Sequence, residues 1–291
     1  MTDTQGGGPA PAEAAPRGPA PVRAGRLSTI GWPERAALVA FVAVTVVLVL
    51  CPWLVGAGEL EIVDDPFEGV LGNQLLGTDD QGRDVWARTV FGMRASWFSA
   101  MLVIVIGAVI GGTIGLVAGF AGGWVDTVLM RLTDAVLALP GPLVALAVVA
   151  ATGPGLRNTL LAVAATWWPW YARIVRGQVF ALSRRPHVEA ARMGGVGRVR
   201  TAVVHVLPGT FGPVIVAASL DVGAVILVLS GLSFLGLGSP APAAELGAMT
   251  ARGLTYLFNA PWIALAPGTA LFALGVVANF AGDATRDLLE D

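Results

Sequence analysis

The chain has 291 residues, 55% of them hydrophobic and 13% charged, with a formal net charge of -2. That apolar content exceeds what one water-exposed domain can hide, so a soluble globule is excluded and a membrane protein is expected. All 18 basic residues are arginine. Without lysine there is no phosphate-binding Gly-Lys-Ser/Thr loop, and any ATP must be held by another subunit. The one cysteine, Cys51, permits neither an intrachain disulfide nor a thiolate cluster. His187 and His205 are too few and too far from acidic neighbours to suggest a metal site.

Residues 1–30 are Pro, Ala and Gly with scattered charge, and are expected to be a disordered cytoplasmic arm. Arg17, Arg23, Arg26 and Arg35 precede the first apolar run and favour a cytoplasmic N-terminus. The run starts too late and is too long for a cleaved signal peptide. Six spans are expected in an all-α chain, at about 36–55, 95–121, 135–152, 157–176, 211–238 and 262–282. Each follows from the roughly 20 apolar residues that a ~30 Å hydrocarbon layer requires.

The acidic segment after span one fits the outside. Asp79, Asp80 and Asp84 lack an EF-hand spacing, and an interfacial helix through Val85, Trp86, Val90 and Phe91 is preferred to a metal site. Span two carries Gly107, Gly111, Gly115 and Gly119 at a period of four. These let another helix approach closely, in this chain or a second one. The stretch 122–134 reads as a short connection. Pro140 and Pro142 at the start of span three either kink it or sit in its first turns.

Trp167, Trp168, Trp170 and Tyr171 close span four as an aromatic belt or, less simply, as a stacking surface. The loop 177–209 is basic. Pro186 suits a first helical turn, Glu189 lies near the positive end of the helix, and Gly194-Gly195 stops it. This reads either as an ordinary inner loop or as a handle for a soluble partner. Asp221 lies inside span five, where a charge is costly. It is either a functional group or a helix–helix hydrogen bond. Asp221, Trp167 and Trp170 are the candidate pathway residues. Thirteen of the 18 arginines fall in segments that six spans place inside, with both termini cytoplasmic.

The loop resembles the signature of the membrane subunits of binding-protein-dependent ABC importers: Glu189-Ala190-Ala191, Gly195, His205 at a usually apolar position, then Leu207-Pro208. Leu76-Gly77-Thr78-Asp79 with Gly82-Arg83-Asp84, Gly122-Gly123-Trp124-Val125-Asp126 and Leu232 through Gly238 are similar to the dipeptide, oligopeptide and nickel branch, in its second permease subunit. The resemblance runs from about residue 30 to the end. It implies a type I importer permease fold in a bacterial cytoplasmic membrane, with the loop helix docked in a cytoplasmic ATPase. Glu189, Ala190, Ala191, Gly195, Leu207 and Pro208 would be the coupling residues. The implied partners are a second homologous permease, two ATPase subunits carrying ATP and magnesium, an extracytoplasmic solute-binding protein and membrane lipid, with no nucleic acid. No cofactor or metal is expected on this chain, and it would not itself be an enzyme. The cargo is left open among dipeptides, oligopeptides, nickel chelates, sugars and opines. One departure stands out: where the branch usually carries glutamate, this chain has Leu229, with Asp221 about two turns earlier. The alternative is a subunit of an ion-coupled secondary transporter, which usually needs several paired ionisable groups at mid-membrane.

Overall fold

The computed structural model describes residues 31–290. The arm expected to be disordered, with Arg17, Arg23 and Arg26, lies outside the described residues, as does Asp291. Among the described residues the regular elements are helices: α1 (Trp32–Leu54), α2 (Val85–Ala121), α3 (Gly123–Leu137), α4 (Gly141–Thr152), α5 (Leu156–Ser183), α6 (Pro186–Met193), α7 (Arg198–Phe234), α8 (Leu246–Gly253) and α9 (Trp262–Glu290). Two isolated antiparallel bridges, Ile62 with Arg83 and Thr78 with Asp84, brace the loop between α1 and α2.

Four helices, α1, α2, α7 and α9, are long and apolar enough to cross a membrane. The pair α3 and α4, bent by 83°, is a fifth candidate if it is one broken span. Pro140 causes the break. It caps α4, it disfavours helical backbone at Leu139, and Pro142 then sits harmlessly in the first turn of α4. With 12 residues, α4 alone is too short to cross. The helix α5 has 28 residues but is interrupted by Arg, Pro and Trp and falls outside the apolar set.

Several boundaries differ from the expected ones. The interfacial helix at Val85 is the first part of one 37-residue rod, α2, because the Asp84 carboxylate accepts the Trp86 N–H at 2.8 Å and starts the helix there. The connection 122–134 is helical in α3. It starts afresh at Gly123 after the cap Gly122, both with positive φ, 55° and 64°. The outer loop 239–261 holds α8, whose Leu246, Gly247 and Met249 are buried.

The main core lies where α2, α5, α7 and α9 meet, around Trp97, Tyr171, Ile226 and Leu274. On α1, the Phe41 ring packs tilted against Trp97 with centroids 4.9 Å apart, and the Trp97 indole donates to the Thr45 hydroxyl at 3.2 Å. Most of α1 is otherwise uncovered, as are apolar faces of α2 and α9 including Val105, Val109, Phe272 and Phe280. Such continuous apolar surface belongs in lipid or against another subunit.

Candidate functional site

The short helix α6 follows from local chemistry. Arg185 is extended, Pro186 opens the first turn, and the Val188 and Glu189 N–H groups donate to the Arg185 carbonyl at 3.0 and 3.2 Å. Glu189 falls in the first turn and Arg192 in the last, each opposite in sign to the helix end beside it. The end is a Schellman motif. Gly195 takes φ 82°, its N–H donates to the Arg192 carbonyl at 3.1 Å, and Val196 N–H reaches back to Ala191 at 3.1 Å.

One apolar side chain holds this helix to the bundle. Val188 is fully buried with Val175, Val179, Leu182 and Val206, a burial worth about 1.5–2 kcal/mol. Arg192, four residues on and so on the same face, lies 5.5 Å from the Phe120 ring at the end of α2. The rest is open. Glu189 and Ala190 are exposed, Ala191 is half-buried, and Met193 is 84% exposed. A charged helix with small residues on its free side is therefore fixed from behind and presented outward.

From α6 the chain passes Gly197 into α7 through a π-helical turn, Thr201–Val206, where the Leu207 N–H bonds back to Ala202. The next residue, Pro208, lacks an N–H and would crowd the carbonyl of Val204 in a regular helix. The extra residue of a π turn relieves that conflict. Leu207-Pro208 thus marks where the π turn returns to α-helix, with Val206 buried beside Val188 and His205 half-buried.

The glycine ladder faces α5 of the same chain. A Cβ at Gly111 would collide with the Trp168 carbonyl and one at Gly115 with the Ala172 carbonyl. At Gly119 it would lie 2.7 Å from Val179, and at Gly107 it would touch Tyr171 at 3.5 Å. Two ion pairs tie α3 to α5. The Arg176 guanidinium donates to both Asp126 oxygens at 2.5 and 2.7 Å, and Arg173 donates to Asp134 at 2.7 Å.

The structure brings Asp221 and Trp167 together but not Trp170. The Trp167 indole and the Tyr171 hydroxyl both donate to Asp221 Oδ2, at 3.0 and 2.8 Å. With Tyr171 fully buried, the aromatic cluster is not a simple interfacial belt. Trp170 is 50% exposed and borders a cleft of about 640 Å³ between α5, α7 and α9, which Asp221 also lines.

Several structural residues escape sequence reasoning. Asp79 organises the loop before α2: it accepts the Gln81 and Arg83 N–H groups at 2.9 and 3.0 Å and the Arg83 Nε at 2.7 Å. Arg88, only 2% exposed, donates to the carbonyls of Glu59 and Pro242 at 2.6 and 3.1 Å and lies 3.4 Å from Asp79. Asp84 is used as a helix cap, so the three aspartates are divided among separate tasks. Glu245 caps α8 through the Gly247 and Ala248 N–H groups at 3.3 and 3.0 Å. Burial pushes its carboxyl above the ordinary range, against the pull of those N–H groups and Ser233. An acid directly before a small-residue helix start was the available signal. For Val188, the signal was an isolated apolar residue in the first turn of a charged helix.

Residues 111–290 match the family described as binding-protein-dependent transport system inner membrane component. The dipeptide transport system permease protein DppC of Alkalihalophilus pseudofirmus is 34% identical over 88% of this chain and 86% of its own length. The probable D,D-dipeptide transport system permease protein DdpC of Escherichia coli is 38% identical over 74% of this chain and 72% of its own. The nickel transport system permease protein NikC of Escherichia coli is 40% identical over 74% and 78%.

Proposed function

The chain belongs to the inner-membrane components of binding-protein-dependent transport systems, and from that premise we infer that α6 is the part of it gripped by an ATPase motor. It is a membrane subunit of an ABC importer in the bacterial inner membrane, not an enzyme, and ATP hydrolysis belongs to separate subunits. Its complex would comprise a second homologous permease, two cytoplasmic ATPases carrying magnesium and ATP, and an extracytoplasmic binding protein. In that complex this chain forms half of the translocation pathway, with six spans and both termini cytoplasmic. The excess of arginine on the expected inner side, Arg184 and Arg185 beside α6 included, supports that orientation. The relatives' printed names point to a peptide or a related small solute such as a nickel complex as cargo.

The observation that carries the coupling role is the mounting of α6: Val188 is fully buried while Glu189 and Ala190 are exposed on the same short helix. Ala190 and Ala191 let a partner surface approach, Glu189 offers a carboxylate to an arginine there, and Gly195 makes the turn that presents the helix. Motion imposed on α6 reaches α7 through Val206 and the π turn at Leu207-Pro208. A cysteine at Ala191 should crosslink to an ATPase subunit in the assembled complex, and the lone chain should turn over no ATP. Robust turnover by the lone chain, or an Ala191→Cys chain that crosslinks only to lipid-embedded partners, would overturn the assignment. The ion-coupled alternative usually needs several paired ionisable groups at mid-membrane, whereas the segment Leu207–Phe234 supplies Asp221 alone.

A further inference from the structure

The segment of α7 from Leu207 to Phe234 contains one ionisable residue, Asp221. An ionised carboxylate in an apolar span is costly unless something compensates it. The side chains that donate to it, Trp167 and Tyr171, are neutral, so they orient the carboxylate without cancelling its charge. Both bonds fall on Oδ2, and Oδ1 carries no hydrogen bond among the described residues. Asp221 lies at one limit of the cleft between α5, α7 and α9, roughly 12 Å along α7 from Pro213. Trp170 of α5 lines the same cleft with a half-exposed indole, Ile174, Val216 and Leu220 keep much of the lining apolar, and Arg286 of α9 is the other charged residue on it.

We propose that Asp221, oriented by Trp167 and Tyr171 at one limit of this cleft, is a cation site on the pathway that takes the protonated amine of a passing cargo. This rests on the importer reading above. An ammonium is a compact charge with three donors, which suits a carboxylate with one oxygen left to accept. An indole such as Trp170 further along the cleft can add cation–π attraction to a passing cation and, unlike a second acid, does not hold it too tightly to leave. The site therefore discriminates by charge at the amino end of the cargo and tolerates variety elsewhere. Trp167 and Tyr171 are positioning residues for the carboxylate.

The test uses the reconstituted importer with Cys51 replaced by Ala and a single cysteine at Ala217, one turn from Asp221 on the same face of α7. Its labelling is compared between a trimethylammonium methanethiosulfonate and the sulfonate analogue. With Asp221 the cationic reagent should react faster by on the order of tenfold, after correction for intrinsic rates. Asp221→Asn, which still accepts from Trp167 and Tyr171, should bring the ratio close to one, and Asp221→Glu should restore it. Alanyl-alanine should protect the cysteine, and N-acetyl-alanyl-alanine should not. A ratio indifferent to Asp221→Asn, or equal protection by the acetylated peptide, overturns the amine site. ATP turnover in the same vesicles separates the two ideas. If assembly yields no turnover, the importer reading fails whatever the ratio. If turnover is normal and the ratio is flat, only the cation site fails.

Discussion

Gly195 holds a backbone conformation, φ 82°, that a side chain disfavours, and the turn it makes is what stops α6. No atom lies within 4 Å of the position its Cβ would take, so Gly195→Ala is penalised by conformation alone. The cost should be about 1 kcal/mol, read as roughly fivefold faster hydrogen exchange at the Val196 amide, whose partner is Ala191. Glu245 makes a different prediction. Its folded carboxyl binds a proton more tightly than the ordinary value of 4.5, because burial opposes the charge. The folded state therefore holds the extra proton, and stability should fall as pH rises from that value through the raised one. Glu245→Gln should flatten this slope. Glu245→Ala, which abandons two N–H groups of α8, should lower stability by about 1 kcal/mol at any pH. Thermal denaturation of the detergent-solubilised chain across pH checks both.

The contact between α2 and α5 turns on which face a glycine occupies. Gly111 meets backbone of α5, whereas Gly112, one residue on, has only Val175 at 3.9 Å. Gly111→Ala should lower stability by about 2 kcal/mol or more, read as a marked fall in melting temperature, while Gly112→Ala should stay within about 0.5 kcal/mol. Equal effects would mean that the close packing does not govern stability. At this scale the sequence was informative wherever the cause is local. Pro186 and Gly194-Gly195 bracket α6 because caps and breaks act within a few residues, and a period of four identified the packed face of α2. The neighbour of that face was not legible, since the same ladder serves a contact within or between chains. The bend between α3 and α4 was half legible: Pro140 signals a break, but its 83° angle depends on what the two helices pack against. The π turn at Thr201–Val206 is hidden from sequence because Arg198, Arg200 and His205 interrupt the apolar run, which places the expected span at 211–238.

For the whole molecule, α6 is an exposed, charged helix mounted on the end of the bundle by a single buried valine, and the turn at Gly194-Gly195 and Gly197 joins it to the helix that carries Asp221. Sequence alone located that helix, but not Val188 as its anchor or Arg192 over Phe120, because both depend on α2 and α5 arriving at the same place. The same limit hid Tyr171, which meets Asp221 from 50 residues away. The proposed role of α6 as the point where hydrolysis becomes movement is tested most directly by the ratio of solute taken up to ATP hydrolysed in a reconstituted importer carrying Glu189→Arg. Because Glu189 is exposed, the chain should fold and remain in the membrane. ATP turnover should persist while uptake per ATP falls by roughly tenfold or more, as loss of a charge-assisted contact at a partner surface would produce. A ratio equal to that of the unaltered importer would contradict the account.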